Sequence, residues 1–263
     1  MKKITLMVII VLMIVLLTSC GENIAPQMTR LDELKLQYEP IGIGHNEALD
    51  ELHELYASEQ IKQNKYLSYS DCIEIADKHF EPINSKYNNI AREITSLLYN
   101  KRIFAKSCVN GEIVDILSDS LEIFAKYPQI FDSISVILDA PVSNEIKINN
   151  LENMYVFADE QIENIQDKDA VMNGISTTMH SLEYWGENMN DWQETLTGVI
   201  AKPSIGIIGA VGIIDGAGAV IGTLEGIRDT YKGQEGRLEI IVGRAIGEAA
   251  KTSAYAFLAI IML

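Results

Sequence analysis

Basic side chains are scarce in this chain: 21 lysines and arginines stand against 37 aspartates and glutamates over 263 residues, a formal charge of −16. Nucleic-acid surfaces need clustered cations to displace condensed counterions, and no window of the sequence supplies such a cluster, so nucleic acid is not an expected partner. Histidine is scarcer still. His45, His53, His79 and His180 are the whole supply, which leaves little material for acid–base or metal chemistry. H-E-x-x-H, G-x-S-x-G and a phosphate loop with its lysine are all missing. The spacing from Gly216 to Gly222 approaches a dinucleotide fingerprint but lacks the βαβ context that such a loop needs. The expectation is therefore no enzyme, no cofactor and no metal.

Cysteine is limited to Cys20, Cys72 and Cys108. The first belongs to the leader. Behind Lys2 and Lys3, residues 4–17 form an apolar run shorter than the ~20 residues of a spanning helix, the layout of a secretory signal peptide. It ends in Leu17-Thr18-Ser19-Cys20, which resembles the lipobox of bacterial lipoproteins. The resemblance implies removal of residues 1–19, acylation (palmitate included) of Cys20, and residence in the cell envelope as a lipid-anchored protein. Gly21 at the next position, where an aspartate would signal retention, favours the outer membrane over the inner one. Export leaves Cys72 and Cys108 as an even pair, open to two readings: one disulfide, or two buried thiols.

The mature chain divides by composition. Residues 20–40, polar and bounded by Pro26 and Pro40, read as a lipidated tether, part of which can dock as a short helix. Residues 41–197 read as a helical domain. Leu49, Leu52, Leu55 and Tyr56 recur at spacings of three and four; Ser70 opens a second helix holding Cys72; Ile90, Ile94, Leu97 and Leu98 mark a third. Shorter helices are expected over 119–126 and over 128–138, then one capped by Ser143 and another over 167–185. Sustained apolar–polar alternation is missing, so the fold class is all-α: an irregular helical bundle closed by a C-terminal glycine-rich αα-hairpin.

That hairpin occupies residues 198–263. Gly209, Gly212, Gly216, Ala219, Thr223 and Gly226 follow one another at intervals of three and four, a ribbon of small residues on one helix face. A second ribbon, Gly243, Gly247, Ala250 and Ala254, follows a polar turn, and the two are expected to face each other in helix packing. Glycine costs up to about 1 kcal/mol per residue in a helix relative to alanine, so these helices need a partner surface to exist. Residues 205–224 are long enough to cross a bilayer. Nine Ile, Val or Leu residues favour insertion by about 3 to 5 kcal/mol, and a central Asp215 opposes it by about 3 kcal/mol, so with six glycines adding nothing the balance lies near zero. Three fates stay open for the hairpin: a soluble core, a membrane-inserting element of a toxin-like or bacteriocin-like protein, or a surface for self-association or a protein partner.

Gly42-Ile43-Gly44-His45-Asn46 is the one local signature outside the hairpin. It reads as a capping turn in which His45 or Asn46 accepts free amides of the first helical turn, or else as part of a ligand site with His53. Glu183-Tyr184-Trp185 and Trp192 read as core or interface aromatics. Taken together, Gly42, His45 and Asn46 early in the mature chain, Ser181-Leu182-Glu183-Tyr184-Trp185 at a helix end, and a Gly/Ala-rich tail closing with Ser253-Ala254-Tyr255-Ala256 look like a group of uncharacterised bacterial lipoproteins. That resemblance implies an exported helical protein and supplies no activity, substrate or catalytic residue.

Overall fold

The computed structural model describes residues 28–80, 110–199, 205–231 and 237–262. The expected leader over residues 1–19, Cys20, the helix expected around Ile90 to Leu98, and Cys108 lie outside the described residues. Among the described residues the chain is all-α, with nine helices and no strand. They are α1 (Arg30–Gln63), α2 (Tyr69–His79), α3 (Asn110–Ser120), α4 (Glu122–Lys126), α5 (Pro128–Asp139), α6 (Asn144–Gln161), α7 (Ile165–Thr197), α8 (Ile205–Tyr231) and α9 (Arg237–Met262).

Helix α1 starts ten residues before the expected end of the tether. Thr29 and Asp32 form a reciprocal capping box, which satisfies two free amides and fixes the start at Arg30. The helix then runs straight through Pro40, although proline removes an N–H and crowds the carbonyl four residues back. Its buried stripe explains the persistence: Leu34, Tyr38, Ile41, His45, Leu49, Leu52 and Tyr56 repeat every three or four residues on both sides of the proline. Gly42-Ile43-Gly44-His45-Asn46 is consequently mid-helix, and the capping-turn reading of His45 and Asn46 is overturned, because their neighbours' amides are already spent on helical bonds.

Other boundaries move for similar local reasons. Ser68 rather than Ser70 caps α2, again with a capping box to Asp71. The stretch over 119–126 is split, since Leu121 takes an extended backbone between α3 and α4. Pro128 opens α5 and Ser143 caps α6, at the positions their chemistry favours. Helix α7 passes well beyond Trp185 because Met189, Trp192 and Leu196 extend its buried face. It stops at Gly198, whose φ of 69° needs glycine; an added Cβ would also strike the Tyr66 hydroxyl. The Asn-Gly pairs at 110 and 173 both sit in helices rather than in hairpin turns.

Helix α8 is the hub. It packs on α7, α9, α3 and α5 together, and its side chains from Ile207 onward are buried almost without interruption as far as Gly226. Helix α1 lies across α7 and α9, and α6 packs against both α7 and α1. Around the hub an aromatic layer joins α1, α7 and α9. Trp185 stacks on Phe257 at 4.4 Å, Trp192 meets both of them, and Tyr56 meets Trp192 edge-on. Both tryptophans are fully buried with their indole N–H groups bonded, the condition under which such residues stabilise a core.

Candidate functional site: a polar clasp around Asp215

One charge sits at the centre of the apolar hub helix, and its surroundings collect the chain's few chemically capable residues. Asp215 is fully buried. Its Oδ2 accepts from Ser181 Oγ at 2.5 Å, from Ser253 Oγ at 2.9 Å and from Trp185 Nε1 at 3.3 Å. Trp185 Nε1 also reaches Ser253 Oγ at 3.0 Å. His45, likewise fully buried, places Nε2 3.4 Å from the same carboxylate oxygen. Four helices therefore converge on one oxygen: α1 through His45, α7 through Ser181 and Trp185, α8 through Asp215 itself and α9 through Ser253.

The outer side of the imidazole is fixed by Asn46. Asn46 Nδ2 donates to the His180 carbonyl at 3.1 Å, which turns its Oδ1 toward His45 Nδ1 at 2.9 Å. Oδ1 can only accept, so Nδ1 carries the proton there and Nε2 is the nitrogen presented to Asp215. Such an order differs from a nucleophilic triad, in which imidazole stands between carboxylate and hydroxyl. In this molecule the carboxylate is in the middle and both serines donate to it, so neither hydroxyl is activated as a nucleophile. The cluster is shut on all sides by packed helix faces.

His45 and His53 do not share a site. His53 lies further along α1, stacked on Trp192 at 4.9 Å with Nε2 2.9 Å from Thr195 Oγ1, and burial lowers its pKa. A ligand site built from this pair is thereby corrected. Among the described residues, no group of three or more His, Cys, Asp or Glu side chains is arranged to hold a metal. Cys72 is a buried free thiol whose pKa burial pushes up to about 12, and it receives no partner from the described residues.

Close approach explains the glycines of the motif. A Cβ on Gly42 would fall 2.2 Å from the His180 ring and 2.9 Å from the Ser176 carbonyl on α7. A Cβ on Gly44 would meet Ile246 of α9 at 2.4 Å. Gly42 and Gly44 thus seat α1 against two helices, and His45, between those contacts, points inward to Asp215.

The hub helix uses two glycine faces, only one of which was expected. Gly209, Gly212 and Gly216 face α3, α5 and α7, with Gly216 lying against Thr178 and the Gly174 carbonyl. Gly218, Gly222 and Gly226, spaced four apart, face α9 at Ala249, Ala245 and Ile241 in antiparallel order. Gly226 therefore belongs with the second face. On α9 the expectation is corrected: a Cβ on Gly243 or Gly247 would meet nothing within 4 Å, and the residues that meet α8 are Ala245, Ala249 and Thr252 instead. The two glycines lie on the side of α9 turned away from α8.

A second buried charge group lies between α8 and α9. Glu225 and Glu248 are each 3 % exposed. Arg228 reaches Glu225 at 3.5 Å, while Arg244 is engaged with Asp229 and Lys251 with Asp77. Burial, and then the neighbouring Glu225, push the Glu248 carboxyl up to about 8, so it holds its proton at neutral pH.

No protein-family model, curated protein or solved structure matches the chain.

Proposed function

We propose that the protein is a lipid-anchored component of the bacterial cell envelope, tethered through acylated Cys20, with a non-catalytic structural or binding role. The observation that carries the non-catalytic half is the sealed clasp. His45, Ser181, Ser253 and Asp215, the groups best suited to chemistry, are all fully buried where four helices meet, with both serines donating to the carboxylate and His45 3.4 Å from it. The lipobox carries the other half. Outer-membrane residence and a protein partner follow from the same reading.

Fatty-acid labelling of the expressed protein tests the anchor: label is expected on the parent chain and none on Cys20→Ala, and an unlabelled parent overturns the reading. For the non-catalytic role, His45→Ala is expected to weaken the helical circular-dichroism signal on heating, because it empties a site in the core. A hydrolase would instead lose activity with its helical signal and melting temperature unchanged.

A toxin-like or bacteriocin-like reading, in which the hairpin inserts into a target bilayer, draws support from the length and apolarity of Ile207–Thr230 and Leu238–Met262. The buried Asp215 argues against it, because insertion would strip the carboxylate of its donors on α7, Ser181 and Trp185. Dye-loaded liposomes separate the two readings: the intact protein is expected to release no dye, and leakage would favour the toxin.

A further inference from the structure

We propose that His45 is doubly protonated in the folded protein, so that an imidazolium–carboxylate ion pair with Asp215 closes the clasp inside the core. Hydrogen-bond chemistry places the first ring proton. The His180 carbonyl can only accept, so the Asn46 atom 3.1 Å from it is Nδ2, and the Asn46 atom 2.9 Å from His45 Nδ1 is the accepting Oδ1. A neutral His45 would then have its proton on Nδ1 and a bare lone pair on Nε2. That lone pair would face the Asp215 carboxylate 3.4 Å away, with both residues fully buried and no hydrogen-bond donor reaching Nε2. Two buried acceptors facing each other without a proton between them is a strongly disfavoured arrangement. One further proton removes the conflict. Asp215 also has a second oxygen, Oδ1, buried and without a hydrogen-bond partner, toward which Nε2–H can turn.

Which partner takes that proton follows from the remaining donors. Ser181 Oγ, Ser253 Oγ and Trp185 Nε1 all direct hydrogens at Asp215 Oδ2, and hydrogen bonds to the charged form keep a carboxyl group ionised. The proton therefore resides on the imidazole. Among the described residues His45 is also the one group within ion-pair distance of Asp215 that can carry positive charge, since Lys251 of α9 is engaged with Asp77 and Arg244 with Asp229. A buried carboxylate without a counter-charge is costly, whereas a matched pair leaves the core with no net charge. The pair ties α1, the helix that follows the tether, to the hub helix α8.

The test reads the ring nitrogens directly, by nitrogen NMR of the full mature chain carrying Cys20→Ser and isotope-labelled histidine. At neutral pH both ring nitrogens of His45 should be protonated, while His53 and His180, whose pKa values burial lowers, serve as neutral references in the same spectrum. Signals missing from His45→Gln assign the residue. In Asp215→Asn the new amide can donate to a bare Nε2 and still accept from the serines, so this variant should fold and show His45 neutral, with its proton on Nδ1. A parent chain with an unprotonated Nε2 at neutral pH overturns the proposal, and so does an Asp215→Asn chain whose His45 stays doubly protonated. Urea unfolding gives a second readout. His45→Ala leaves the anion without its counter-charge and adding Asp215→Asn removes the anion, so the double variant should have a folded-to-unfolded ratio about tenfold or more above that of His45→Ala, the factor that ~1.4 kcal/mol represents. A double variant no more stable than His45→Ala also overturns the proposal.

Discussion

Replacing Glu248 by glutamine should make the protein more stable at pH 8 than its parent, with the advantage vanishing toward pH 4.5. Glu248 is 3 % exposed on α9, and its carboxyl is raised from an ordinary 4.5 to about 8 by burial first and by Glu225 second, against smaller opposing effects of Lys251 and Arg244. The folded chain therefore binds one more proton than the unfolded chain between these two values. Stability must then fall as pH rises through that window, in full supply below about 4.5 and lost by about 8. A gap of roughly 3.5 units at about 1.36 kcal/mol per unit sets a ceiling of about 5 kcal/mol, and relaxation around the buried carboxylate brings the expected loss to a few kcal/mol. Urea unfolding at pH 5, 6, 7 and 8 measures it, the informative quantity being the parent curve minus the Glu248→Gln curve. Other titrating groups, including His53 and His180 with their burial-lowered values, cancel in that difference. Parallel curves for the two proteins would refute the reasoning.

The glycines should sort by direction. Gly222→Ala, which drives a Cβ to 2.3 Å from the Arg244 carbonyl, and Gly42→Ala, against His180 and Ser176, should each cost ~1–3 kcal/mol in chemical unfolding. Gly243→Ala and Gly247→Ala meet nothing and should raise stability by ~0.5–1 kcal/mol, the ordinary helix propensity gain; a loss there would mean that this side of α9 is occupied. Trp185→Ala should remove ~3–5 kcal/mol, since the side chain fills the junction between Asp215, Ser253 and Phe257, and thermal melts read it directly. At the acid end, Arg30 and then Lys168 hold Asp159 down to about 2, so its contribution is present above about 4 and lost as pH falls through 2. Arg30→Ala should lower stability above pH 4 and make its fall between pH 4 and 2 shallower than the parent's, read by urea unfolding at several pH values; an unchanged slope would refute the assignment.

Which parts of this architecture were legible in the sequence follows from range. Helix class and several caps are local: Pro128 at a first turn and Ser143 three residues before Ile146 act through neighbours in the chain, and they were placed correctly. The start of α1 was missed because Pro40 suggested a boundary, while Thr29-x-x-Asp32, the stronger local signal, lay within a stretch taken for tether. The clasp is long-range. Its members on different helices are 30 or more residues apart along the chain, and spacing within one helix cannot say which other helix it meets. A signal was nonetheless present: a lone carboxylate amid the apolar residues 205–224 has to find donors on other helices. The four-residue repeat Gly218, Gly222 and Gly226 was also visible, but the competing ribbon through Gly209, Gly212 and Gly216 masked it. Two faces on one helix are what a hub requires.

The position of that hub in the chain has a bearing on biogenesis. Helices α1 and α7 are synthesised before α8, yet α8 and α9 complete much of the surface on which their inner faces close. Until the last sixty or so residues emerge, Gly174, Thr178 and Ser181 lack the backbone they pack against, and His45 lacks its carboxylate. A ribosome-bound fragment is thereby kept from closing its core until the last two helices have been made.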